Sequence, residues 1–193
     1  TGAAWTKTTV SAAQFGANSI DGITTGNTLR LTQTWMIVTH SAPPAGITVS
    51  GTVYSDEGTT TTTSTLKLAV STGTTQTAYS TSTLTNGTYT FNTTTTPSAG
   101  DVITVWMNND GAGNGNGATV TRYSGSGNVS GLNIYKNRLI TRHEDSGPLS
   151  NANIGLCDKN GGTACTDTDL HFDASTSTLA LTIDNDWMLY IWP

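Results

Sequence analysis

The chain has 193 residues, with 8 Lys and Arg against 13 Asp and Glu and a net charge of −5. Only 11% of its residues are charged, against about 25% in an average globular chain. So few cations exclude a nucleic-acid partner, which needs clustered positive charge, and no apolar run reaches the ~18 residues of a membrane-spanning helix.

Threonine fills about a fifth of the chain, and there are 21 glycines. Thr favours strands, while Gly and Asn favour the turns between them. In chain order, Ser11–Asn18 reads as a short helical turn or a loop. Alternating apolar and polar positions then predict strands over Leu29–Val38, Ile47–Tyr54, Thr65–Val70, Thr77–Thr83 and Thr88–Thr94. Further strands are predicted over Val102–Asn108, Ala118–Tyr123, Leu132–Arg142, Leu179–Ile183 and Trp187–Trp192. Turn signals separate them at Pro43-Pro44-Ala45-Gly46, Asp56-Glu57-Gly58, Asn86-Gly87, Pro97–Asp101 and Ser146-Gly147-Pro148. Strands at this spacing predict an all-β chain folded as an antiparallel β-sandwich, with an additional β-rich C-terminal extension.

The two ends of the chain repeat one another. Thr28-Leu29-Arg30-Leu31-Thr32 and Trp35-Met36 reappear as Thr178-Leu179-Ala180-Leu181-Thr182 and Trp187-Met188, offset by 150 and 152 positions. A period this long suggests a unit cut from a tandem array. Three regions follow: residues 1–45, equivalent to the end of a preceding repeat; 46–111, the sandwich core; and 112–193, a second β-subdomain or an extension of the same sandwich. The last strand, Trp187–Trp192, is apolar on both faces, so it is expected to be covered by the N-terminal segment or by an adjacent subunit.

The middle of the chain resembles a known family. It carries Ile47–Tyr54 with Gly51-Thr52-Val53, then Asp56-Glu57-Gly58, Asn86-Gly87-Thr88-Tyr89-Thr90-Phe91, and Val102–Val105 after Ala99-Gly100-Asp101. Over residues 46–108 this is similar to the transthyretin-like sandwich of carboxypeptidase regulatory-like and Cna protein B-type domains. Val129–Tyr135 and Trp187–Pro193 look like repeat units of very large bacterial cell-surface proteins. The resemblance implies a structural or adhesive role. Some Cna protein B-type domains also join a Lys to an Asn or Asp covalently; Lys67 with Asp101 is the nearest such pair here.

Chemistry-bearing residues are few. Cys157 and Cys165 flank a stretch containing Gly161-Gly162, which would bring the thiols together as a disulfide and imply an oxidising compartment. Asp158, Asn160, Asp167 and Asp169, with Asp173, could supply oxygens to calcium, as could the Asn108–Gly117 loop with its single carboxylate. Otherwise no cofactor is expected. Asp169, His171 and Asp173 alternate and would share one strand face, and Arg138, Arg142, His143, Glu144 and Asp145 read as a solvated strand end. His40 is isolated, and no nucleophile–base pair is spaced for catalysis, so the chain is read as not an enzyme. Trp5 and Trp106 are the candidates for stacking on a sugar ring.

The function expected is a secreted or cell-surface building block of an array or filament, with copies of itself or neighbouring repeats as partners. The alternative is a carbohydrate-binding module with calcium-stabilised loops and surface glycans as partners. Asn86, Asn92 and Asn128 lie in sequons.

Overall fold

The computed structural model describes residues 46–73, 75–108, 116–145, 147–160, 165, 167–175 and 178–192. Leu29–Val38, Trp5, His40 and residues 109–115 of the Asn/Gly loop fall outside them, so the readings made there lie outside the described residues. Residues 42–193 group as one compact unit.

The strands are β1 (Thr48–Tyr54), β2 (Thr65–Thr72), β3 (Thr75–Ser82), β4 (Thr88–Asn92), β5 (Val102–Asn108), β6 (Ala118–Arg122), β7 (Ile134–Tyr135) and β8 (Arg138–His143). After the short helix α1 (Asn151–Ile154) come β9 (Phe172–Ala174), β10 (Leu181–Ile183) and β11 (Met188–Ile191). They build a six-stranded sheet in the order β11-β8-β6-β5-β2-β3, a three-stranded sheet β4-β1-β7 and a small β10-β9 pair. The all-β sandwich is therefore the architecture.

The central strands of the six-stranded sheet are buried on both faces. On one side Leu66, Leu68 and Val70 of β2 and Ile103, Val105 and Met107 of β5 meet Val49, Val53, Tyr89, Phe91 and Ile134 of the three-stranded sheet. On the other side Ala69, Val102, Trp106, Ala118, Val120 and Leu139 meet Ile154, Leu170, Phe172 and Trp187 of the C-terminal layer. Successive side chains of a strand point to opposite faces, so β5 feeds both cores and all seven of its residues are buried. The boundary drawn at 111/112 falls between β5 and β6, which pair antiparallel within one sheet.

Turn chemistry fixes the hairpins. Gly87 sits at φ +78°, where an L side chain is disfavoured, and the Asn86 side chain accepts from the backbone N–H of Thr88 at 3.1 Å. At the Asp56-Glu57-Gly58 turn the Asp56 carboxylate accepts the N–H groups of Thr59 and Thr60 at 2.8 and 2.9 Å. Those backbone bonds, chiefly from Thr60, hold its carboxyl below the usual value. Gly51 lets the Leu132 carbonyl pass, since a Cβ there would lie 2.3 Å from that oxygen.

Beside the antiparallel pairings stand three parallel ones: β1 with β7, β6 with β8, and β8 with β11. A parallel pair needs a crossover, and here each crossover leaves through another layer. Between β6 and β8 the chain visits the three-stranded sheet as β7; between β8 and β11 it visits the C-terminal layer as α1, β9 and β10. The strand expected over Leu132–Arg142 is consequently two strands. They are broken at Lys136-Asn137, where Asn137 adopts φ +58°, a left-handed conformation that Asn tolerates better than most residues. Helix α1 carries a reciprocal capping box between Ser150 and Asn153.

Candidate interaction edge

β11 lies at the end of the six-stranded sheet and pairs in parallel with β8, Met188 opposite Arg138 through Ile191 opposite Thr141. The N–H groups of Met188 and Trp192 donate inward, to the carbonyls of Asn137 and Thr141, at 3.0 Å each. Strand alternation therefore turns the backbone groups of Leu189 and Ile191 outward. The side chains are as unusual as the edge: Met188 is 53% exposed, Leu189 42%, Ile191 71% and Trp192 41%.

Among the described residues the ring contacts of β11 lie on one face. The Tyr190 ring meets Tyr135 edge-on at 5.6 Å and Trp192 at 6.1 Å. On the outer rim a groove of about 400 Å³ is lined by Thr141, Arg142, His143, Pro148, Leu149, Asn151, Ile154, Leu181, Leu189, Ile191 and Trp192. Its β8 rim is held rigidly: Arg142 pairs with Glu144 at 2.5 Å and donates to the Gly131 carbonyl at 2.7 Å. A second, wholly polar cleft lies near Ser55–Glu57 and Lys136–Arg138, where Arg138 and Glu57 are paired at 2.8 Å.

The residues singled out from sequence are placed differently from expectation. The Cys157–Cys165 disulfide is not formed; both cysteines are free and buried. They do approach one another, for burial first and then hydrogen bonding to Cys165 push the Cys157 thiol well above its ordinary pKa. They pack in the second core as small apolar groups.

Trp106 is no sugar platform. It is 1% exposed, deep in the second core, and its indole N–H donates to Asp167 at 3.1 Å. Asp167 also pairs with Lys67 at 2.8 Å, which takes Lys67 away from the Asp101 pairing. Asp101 instead accepts the N–H of Ser98 at 2.7 Å. Burial alone would raise the Asp167 carboxyl, but Lys67, the Asp169 N–H and the Trp106 indole together hold it below the usual value.

The four oxygen donors are each engaged by protein. Asp158 is buried and accepts the backbone N–H groups of Asn160 and Ala174 at 2.9 Å each. Asn160 donates to Asp173 at 2.7 Å, and Asp169 accepts from Asn116 at 3.0 Å. Among the described residues no three His, Cys, Asp or Glu side chains are grouped to hold a metal ion. His171 lies just before β9; its ring stacks on Trp187 at 5.2 Å and lies 3.3 Å from Asp186, while Asp173 accepts from Asn160. The solvated strand end proves to be an ordered ion-pair set, with Arg122 on Asp145 at 3.1 Å besides the Arg142–Glu144 pair.

Sequence reasoning missed the groove itself. Its available signal was Leu181, Leu189, Ile191 and Trp192 recurring within twelve residues of one another near the C-terminus. No family model matches the chain, and no curated protein or solved structure matches it.

Proposed function

We propose that the chain is a structural or adhesive module, secreted or held at a cell surface, and that it is a non-catalytic building block assembled from copies of itself. The observation that carries this reading is β11: an apolar strand at the sheet edge among the described residues, with Met188, Leu189 and Ile191 exposed and Trp192 exposed just beyond it. Such an edge presents unpaired donors and acceptors beside apolar surface, which is the template for strand addition. The near-repeat of residues 28–36 at 178–188, the scarcity of charge and the likeness of residues 46–108 to surface-protein sandwiches support the same reading.

Sedimentation of the full chain over a concentration series, with electron microscopy of the concentrated sample, tests it. Association that grows without closing at a dimer is expected. A chain that stays monomeric throughout refutes self-assembly.

A further inference from the structure

Building on that self-assembly reading, we infer that the occupant of the β11 edge is residues 28–38 of a second copy, added as a further strand outside β11. The acceptor is defined by the outward backbone of Leu189 and Ile191 and by the groove beside them, which includes Leu149, Leu181 and Trp192. The donor comes from the 45 residues that precede Gly46. Within them Thr28–Val38 alternates Leu29 with Leu31 and Trp35 with Ile37, carries Arg30 as its one charge, and contains no Pro or Gly. This is the composition of a strand that needs an apolar neighbour.

The chemistry on the two sides matches. Residues 178–188 are the near-repeat of residues 28–36, and in the structure they form the rim of the acceptor and its buried neighbour: Leu181 lines the groove, while Trp187 is packed into the second core. A segment with the same Leu-x-Leu and Trp-Met pattern offers side chains of the size and polarity this surface already accommodates. A groove of about 400 Å³ lies in the size range of apolar binding pockets.

The chain enters the described unit at the end of β1 remote from β11. Gly46 enters β1 beside Asn92 and Thr93, where Thr48 pairs with Asn92 and the Ile47 N–H donates to Thr93. β11 instead contacts the opposite end of β1, through the Tyr54–Tyr135–Tyr190 ring series. The length of β1, about 20 Å, separates them. A contact between unlike surfaces is heterologous, the kind that can extend from copy to copy.

The test uses the full chain, Ile37→Asp in the donor, Ile191→Asp in the acceptor, and their equimolar mixture, all in sedimentation velocity. Far-UV circular dichroism and unfolding midpoints confirm that both variants fold; Ile191 is 71% exposed, so its replacement leaves the core intact. Each variant alone is expected to associate at least tenfold more weakly than wild type. The mixture is expected to form a heterodimer that grows no further, because only one donor meets one intact edge. If wild type assembles and either variant assembles equally well, the assignment of residues 28–38 to this edge is overturned while self-assembly stands. Variants that remain monomeric even when mixed overturn the pairing of these two surfaces. A monomeric wild type overturns both readings.

Discussion

β5 and β11 are written in nearly the same alphabet and live in opposite surroundings. Val102-Ile103-Thr104-Val105-Trp106-Met107 and Trp187-Met188-Leu189-Tyr190-Ile191-Trp192 are both apolar on both faces. β5 lies between β2 and β6 with a core on either side, and none of its residues is exposed. Among the described residues β11 has β8 on one flank and no strand on the other, and three of its four residues are exposed. A two-sided apolar strand is a demand for two covering layers. The fold meets that demand internally at β5, while at β11 the described residues supply one flanking strand, β8, and leave three side chains exposed.

The widest separation between the two strands should come from their tryptophans. Trp106→Ala removes a fully buried ring and leaves Asp167 without its indole donor, so a loss of about 3–5 kcal/mol is expected in denaturant unfolding. A loss under about 1 kcal/mol would show that the second core repacks freely and would weaken the contrast.

Next comes the support beneath the β5 side of the comparison. Asp158→Ala strips the buried acceptor from the N–H groups of Asn160 and Ala174, at a cost of about 1–3 kcal/mol. Hydrogen exchange of the Ala174 amide should accelerate in that variant.

A smaller effect is expected from acid. The Asp167 carboxyl is held below its unfolded value, so the pair with Lys67 stabilises fully above the unfolded pKa of about 3.9. That contribution disappears as pH falls through the lower folded value. Unfolding midpoints measured across this acid range should fall more steeply for wild type than for Asp167→Asn. Parallel slopes would show that the pair carries no differential charge stabilisation.

The smallest stability change belongs to β11. Trp192→Ala should shift unfolding by no more than about 0.5 kcal/mol, while weakening association in sedimentation. A core-sized loss there would place Trp192 with Trp106 and erase the distinction between the two strands.

Most strands were legible because alternation and turn residues agree locally: Asn86-Gly87 and Pro97–Asp101 bound β4 and β5 where the pattern says they should. The corner at Asn137 was hidden, because Leu132–Arg142 keeps an apolar rhythm across a change of sheet, and rhythm carries no record of which sheet a strand joins. β9, three residues long, is too short to establish a period. Trp106 was misread as available when the seven-residue run around it already signalled burial on both faces. The cysteines were foreseen as neighbours, and the structure leaves them as thiols. The oxygen-rich residues looked like ligands because sequence shows their donors and not the backbone N–H groups, Lys67 and Asn116 that occupy them.

The corner at Asn137 also ties two distant strand pairings together. β1 finds its parallel neighbour β7 across 81 residues, the separation of Thr52 and Asn133 at the same junction. The β2–β3 hairpin can close on its own, whereas the three-stranded sheet waits for a segment more than half the described chain away. Distant pairings pay loop-closure entropy before they gain contacts, which makes such topologies slow. Because β7 runs directly into β8, the event that completes the small sheet also delivers the strand on which β11 docks. β11 can therefore pair only once β8 is in place, and Trp187 just before it closes part of the second core at the same stretch of chain.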